Sequence, residues 1–427
     1  SAEGQLAEKT EELAPLQATL AREQGEAAAA LQAAEAETTA LTGAQRQQQE
    51  SMANITRLEE EKARLEETLG QATTKLQELD IDIEGIHKIT GLRMIAGKTR
   101  RELKWPSGGS FPPYGAVWTR KELDSHLLET ASQSGAKIFY QSEALPDFVD
   151  NKVIGVTSGS EKWTSKLVVA ASGAPGKVAR MLGTERKADE PYGIAIRTYV
   201  ESPRHGDEYL EASLAMRDSN GTPIPGYGWM FPTGNGTVNL GVGALSTMKG
   251  FRKLNLNTLC DVYRDMIADE WEVGPYLEKP RAWRLPMTSQ KRHGSGWVAV
   301  GDAAGLINPM NGEGIDYSLE SGMLISDLFL EDPQTAPDKY DEIIGERFDG
   351  FLRTGRRFSY LIGHPFILRS GLRVAVANQF MANMTLQVMG NLVDNSTPGS
   401  AGKVLRLADK ALAAADPILR RTRAKQS

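Results

Sequence analysis

Residues 301–315 read GDAAGLINPMNGEGI, with one acid near the start and glycines at 301, 305, 312 and 314. The apolar run 297–300 precedes them and an apolar-periodic stretch, 316–330, follows. The order is strand, glycine-rich turn, helix. Asp302 stands at the strand's end, where its carboxylate can be aimed at ligand hydroxyls. The Gly312-Glu313-Gly314 turn lets backbone N–H groups approach a ligand closely, and the helix start that follows favours negative charge there.

A second constellation lies at 225–243, PGYGWMFPTGNGTVNLGVG. Asn235-Gly236 between two apolar runs is a hairpin signal. Along a strand, residues two apart share a face, so Tyr227, Trp229 and Phe231 line one side ahead of Pro232. Three aromatics in a row form a flat apolar wall suited to an isoprenoid or a quinone, or an ordinary sheet core. Arg120 opens a helix at 119–135 and can meet a phosphate with its fork of donors; a solvated surface arginine reads the same way. Ser172 and Gly173 end an apolar strand, 166–171, where a glycine permits close backbone approach to a cofactor, as in many strand-to-helix turns.

Other chemistry is limited by composition. The five histidines, at 87, 126, 205, 293 and 364, have no ligand spacing, so no metal site is expected. Cys260 is the only cysteine, which excludes a disulfide framework and fits a reducing compartment. The net charge of −6 argues against nucleic acid as partner. No signal-peptide pattern follows Ser1, and no apolar run has the length of a membrane span. The cytoplasm is the expected location, with a peripheral position on the inner face of the plasma membrane as the variant.

The elements that must position these residues fall into unlike parts. Residues 1–80 are rich in Ala, Glu, Gln and Leu and lack aromatics. A seven-residue register runs from Leu6, with a companion seam that is good only from Leu58 to Leu79. It predicts a coiled-coil-like helical arm, strongest over 52–79, with Pro15 breaking its first turns. The arm reads as a homo-oligomerisation or docking device, as a solvated extension, or as a fused segment. Beyond residue 80 strands alternate with helices. Short strands are expected at 137–140 and 153–156, antiparallel strands at 193–200 and 227–242, and a helix at 254–269. A largely helical, apolar-rich tail is expected over 348–393, with Pro365 in its middle. Seven Lys or Arg residues lie between Lys403 and Lys425 among leucines, a basic amphipathic ending that can rest on an anionic membrane.

Taken in order, these features resemble the geranylgeranyl reductase family of FAD-dependent oxidoreductases. Residues 301–315 match its GDAAG–NP–GEGI segment and 227–236 its substrate-cavity motif. Within the family the chain looks most like the actinobacterial menaquinone reductases, with Glu270-Trp271 and 243–247 adding to the likeness. The resemblance covers roughly 83–406.

The resemblance implies an α/β to α+β fold. A partial GR2-type FAD-binding domain would join an antiparallel substrate-binding sheet, a helical C-terminal region and an N-terminal long helix. The implied division is 1–80 arm, 81–185 FAD-domain remnant, 186–290 substrate domain, 291–345 second FAD-contact motif with its helix, and 346–427 C-terminal helical region. FAD is the implied cofactor and a prenylated quinone or prenyl lipid the implied substrate, saturated at one isoprenoid double bond, with the electron donor unassigned. Asp302 and Gly301 would meet the ribityl chain, and Pro309 would lie near the isoalloxazine. Gly312, Gly314 and Ile315 would serve the pyrimidine edge, Arg120 the phosphates, and Ser172 and Gly173 a turn where relatives carry Asp-Gly. Tyr227, Trp229, Phe231 and Pro232 would line the prenyl cavity. The family's opening GxGxxG is absent from this sequence, and the helical arm stands in its place. The competing expectation is therefore a non-catalytic coiled-coil interaction protein, or a fusion that has lost full FAD binding.

Overall fold

Strand register, rather than chain order, decides which segments meet in this protein. The computed structural model describes residues 86–105, 114–174 and 176–390, together with Thr19, Arg22 and Gly25. The chain divides into two units, 1–65 and 66–427, and every element below belongs to the second. The helix expected over 52–79 and the basic ending at 403–425 lie outside the described residues.

In chain order the first strands are β1 (His87–Ile89), β2 (Gly91–Ala96), β3 (Thr99–Lys104) and β4 (Gly115–Val117), followed by helix α1 (Arg120–Gln133). Next come β5 (Leu145–Val149), β6 (Lys152–Ser158), β7 (Glu161–Thr164), β8 (Val168–Ala170) and α2 (Lys177–Leu182). The middle of the chain gives β9 (Tyr192–Glu201), β10 (Tyr209–Ser213), β11 (Gly226–Pro232), β12 (Thr237–Leu245), α3 (Leu256–Trp271) and β13 (Arg281–Pro286). Last are β14 (His293–Gly294), β15 (Trp297–Ala299), α4 (Ile315–Glu331), α5 (Ala336–Ile344), α6 (Gly350–Ile362), α7 (Pro365–Ala375) and α8 (Gln379–Met389).

A seven-stranded sheet runs in the order β13-β9-β12-β11-β10-β2-β3. The strands from β13 to β10 pair antiparallel, and β2 joins β10 in parallel. One face packs on α3, whose Leu259, Cys260, Tyr263, Ile267 and Trp271 recur at helical spacing and are buried against Met230, Val238, Leu240 and Val242. Leu259 and Ile267 each contribute about 1.5–3 kcal/mol gross. Asn255 caps α3 by accepting the Thr258 N–H at 3.2 Å. On the opposite face, at the β2–β3 end, Met94 and Leu103 pack with Ala382 and Leu386 of α8.

A smaller sheet, β14-β15-β8, carries the motif strand. β15 pairs in parallel with β8, and α4, α5, α6 and the helical turn at Gly345–Asp349 complete its core through Tyr317, Ile325, Tyr340, Leu352 and Phe348. Segment 81–185 thus contributes β2 and β3 to the large sheet and β8 to the small one.

One expectation is corrected. Residues 137–140 form no strand: Phe139 and Tyr140 are exposed, Gln141 takes a left-handed φ of 55°, and no neighbouring strand pairs with them. The expected helical tail is present as the three helices α6, α7 and α8. The first break falls at Gly363-His364, where Gly363 lies against Thr247 and Pro365 starts α7.

Candidate functional site

The motif strand delivers Asp302 to the carboxyl end of a parallel pair, the usual place for a ligand in such sheets. The Val300 N–H donates to the Ala170 carbonyl at 3.2 Å, so Gly301-Asp302 and Ser172-Gly173 leave adjacent strands side by side. Gly301 has φ 54°, and a Cβ there would press on Ser318 of α4. Only glycine lets the motif strand turn this tightly against the helix that follows. Gly173 also has a positive φ, 73°, with open space where a side chain would stand.

The turn then folds back on itself. The Gly312 N–H donates to the Asn308 carbonyl at 2.8 Å, and the Asn308 N–H to the Glu313 carbonyl at 2.8 Å. A Cβ at Gly314 would lie 3.0 Å from Asp302 Oδ1, so the bare glycine keeps that carboxylate accessible. The Glu313 carboxylate accepts the Asp316 N–H at 3.0 Å, at the first turn of α4. Burial pushes Glu313 up to about 7, against the pull of the Asp316 and Ile315 N–H groups, and Asp302 adds to the rise. Burial likewise raises Asp302, and Arg120 opposes that rise. Arg120 therefore stands within electrostatic reach of Asp302, from the first turn of α1. It is half exposed and paired with Asp124 at 2.8 Å. Thr119 caps α1, and Leu123 packs with Leu319 of α4, which sets the two helix starts together.

The aromatic wall is not sheet core. On β11 the buried positions are Gly228, Met230 and Pro232, and they face α3; a Cβ at Gly228 would lie 2.6 Å from the Tyr263 ring. Tyr227, Trp229 and Phe231 take the opposite face and are only partly buried. Pro232 consequently belongs to the α3 side, a correction to its expected place in the cavity, and follows from the two-residue period. Trp229 and Phe231 stack with ring centres 6.0 Å apart and 27° between planes, and Tyr227 stands 5.7 Å from Trp229. The Trp229 ring lies flat over Gly241, its register partner on β12, where any Cβ would overlap it. Its indole N–H donates to Asn239 Oδ1 at 3.0 Å, so the plate is fixed at two points.

One bond joins wall and turn. The Tyr227 hydroxyl donates to the Asn311 carbonyl at 2.6 Å, and burial pushes the phenol up to about 12, so it remains a donor. A Cβ at Gly312 would meet Leu285 of β13 at 3.3 Å, so the turn rests on the same face of the sheet. The Asn308 amide donates to the Met389 carbonyl at 3.0 Å, tying the end of α8 to the turn as well.

Of the residues singled out from the sequence, Asp302, Gly301, Gly312, Gly314 and Ile315 share the turn with Arg120 beside them, and Tyr227 meets them through Asn311. Ser172 and Gly173 adjoin at the β8 end. Pro309 is buried, and its ring packs on Gly355 of α6. Residues without an assigned sequence role carry much of the geometry: Glu313, Asn311, Asn239, Gly241 and Leu285. The alternation Asn239-Gly241-Gly243 opposite Phe231-Trp229-Tyr227 was the signal for the glycine seat.

An accessible carboxylate at a strand end, two glycines without side chains and the first turn of α4 fit the ribityl and pyrimidine end of a flavin. Among the described residues no glycine-rich turn cradles a pyrophosphate, and β8 ends its sheet with Val169 exposed.

No protein-family model matches the chain. Menaquinone reductase of Mycobacterium tuberculosis is 35% identical over 325 residues, which cover 74% of this chain and 78% of that protein. Digeranylgeranylglycerophospholipid reductase 3 of Methanosphaera stadtmanae is 26% identical over 294 residues, 62% of this chain and 69% of that one. Among solved structures, a geranylgeranyl bacteriochlorophyll reductase-like protein of Thermoplasma acidophilum shares the fold with a TM-score of 0.63 at 22% identity, over 78% of this chain and 87% of that one.

Proposed function

The chain belongs to the menaquinone reductase branch of the geranylgeranyl reductase family, and from that premise we propose that it is an FAD-dependent reductase that saturates an isoprenoid double bond of a menaquinone or related prenyl lipid. The observation that carries the reading is the placement of the aromatic face. Tyr227, Trp229 and Phe231 turn away from the α3 core, and Tyr227 at the head of the row bonds the turn at Asn311.

In this reading Asp302 holds ribityl hydroxyls, Gly312, Gly314 and Ile315 present backbone donors to the flavin's pyrimidine edge, and Arg120 offsets the negative charge of the phosphates. Ser172 and Gly173 leave room at the neighbouring strand end. When bound and reduced, the flavin supplies the hydride. The rest falls to the chain. The wall holds an apolar tail flat and excludes water from the alkene. Glu313 and Tyr227 are the groups beside the turn that hold a proton near neutral pH, at a carboxyl and a phenol oxygen respectively.

Purified protein reconstituted with FAD should show flavin absorbance. After chemical reduction it should convert menaquinone to a product carrying two more hydrogens in its tail, read by mass spectrometry. Asp302→Ala should lower flavin affinity at least about tenfold, the loss of one charge-assisted bond. Flavin bound without any change in the menaquinone would sink the substrate assignment, and unchanged flavin affinity in Asp302→Ala would sink the ribityl role.

A further inference from the structure

The large sheet ends at β13. Arg281, Ala282, Trp283 and Arg284 are exposed in succession, with Trp283 57% open. Register places Trp283 in one row with Ala195, Gly243 and Tyr227. Two small residues therefore separate an outward tryptophan from the tyrosine tethered to the turn, three strand spacings or about 14 Å away. Leu285, two residues along and on the same face, touches the turn at Gly312. The wall thus runs without a bulky interruption along this row from the turn to the β13 edge.

The edge is basic on both sides. Arg281 shares the wall face with Trp283, while Ala282 and Arg284 look the other way. On that other side a groove is lined by Arg252, Lys253, Lys279 and Ala282. Among the described residues none of Arg252, Lys253, Lys279, Arg281 and Arg284 is held in an ion pair; the nearby Glu278 is engaged by Arg197 at 2.5 Å. A tryptophan among five uncommitted cations combines an interfacial aromatic anchor with attraction for anionic headgroups.

We propose that the β13 edge, with Trp283 at its centre and Arg281, Arg284, Lys279, Arg252 and Lys253 around it, docks on an anionic lipid bilayer and is the side from which a prenyl tail reaches the aromatic wall. The second half of that statement rests on the reductase reading; the docking does not. The cations also discourage another strand from pairing with this edge, which favours a lipid surface over an added protein strand.

The test is sedimentation of the full-length protein with vesicles, without turnover, so that a failure of the reductase reading does not affect it. Binding is expected to phosphatidylglycerol vesicles, weakly or not at all to phosphatidylcholine vesicles, and to weaken as salt rises. R281Q/R284Q should lose at least about tenfold in vesicle affinity and W283A several-fold, with far-UV circular dichroism unchanged. F366A/R373Q, on the exposed face of α7, serves as the competing surface and should bind as the wild type does. Edge variants that bind like the wild type, or loss confined to the α7 variant, would overturn the proposal.

Discussion

At the scale of single residues, the site depends as much on missing side chains as on those present. Gly241 has no Cβ, so Trp229 can lie flat on the sheet. Trp229→Ala removes the middle of the stacked row, and prenyl-chain affinity is expected to fall by roughly thirtyfold, about 2 kcal/mol of lost apolar contact, with flavin binding untouched. Competition by a menaquinone analogue measures this, and an unchanged affinity would return the aromatics to a purely structural role. Glu313 gives a pH prediction. Its folded value is raised from 4.5 to about 7, so its contribution to stability is complete below pH 4.5 and is lost as pH rises through about 7. Glu313→Gln has no such titration. Its unfolding midpoint should fall less than the wild type's between those two values; parallel curves would mean the carboxyl is not held uncharged. The sequence disclosed the residues of the turn and the two-residue period of the wall. It did not disclose Asn311 as the acceptor for Tyr227, because that contact joins positions 84 apart in the chain.

At the scale of elements, the junction of β2 with β10 is the joint that brings the early strands onto the seven-stranded sheet. Arg93 of β2 is buried and bonds Glu102, Asp207 and Glu211 at 3.0, 3.1 and 3.4 Å. Glu211 is fully buried and also accepts the Trp271 indole N–H at 2.9 Å. Burial raises Glu211, and the Trp271 bond together with Arg100 and Arg93 opposes that rise. Removing one member leaves a buried charge short of partners, so Arg93→Leu should destabilise the protein by about 3 kcal/mol in urea unfolding. Adding Glu211→Leu should recover part of the loss; strict additivity would show that the two side chains act separately. Most helix and strand positions beyond residue 114 were legible from apolar spacing, among them α3, α4 and the β11–β12 hairpin. The parallel pairing of β2 with β10 was not, since pairing carries no local signature and Arg93 in a strand reads as an exposed position. The expected strand at 137–140 failed for the converse reason: its residue types suit a strand, but no neighbour lies beside it.

At the scale of the whole molecule, the site proposed among the described residues provides for one end of a dinucleotide cofactor. Asp302, the 308–314 turn and the start of α4 are the groups proposed for the flavin end, while the small sheet stops at β8. FMN, which lacks the adenylate half, is therefore expected to bind within about tenfold of FAD, less than about 1.4 kcal/mol apart. Fluorescence-quenching titrations with the two compounds check this. A far larger preference for FAD would place adenylate contacts in residues beyond those described. Family and fold were readable because two motifs with fixed chemistry survive intact at 227–236 and 301–315.

The bond between the Tyr227 hydroxyl and the Asn311 carbonyl has a consequence for how such a molecule would count. It sets a zero mark: the first aromatic of the row stands at a fixed offset from the turn, and the next two follow at 5.7 and 6.0 Å between ring centres. In the proposed cavity, a chain laid along that scale would be measured from the reacting end outward, and the position selected would be independent of total tail length. Loosening the zero mark, as Tyr227→Phe does, would leave the scale intact and blur its origin. The products would then spread over neighbouring double bonds rather than disappear.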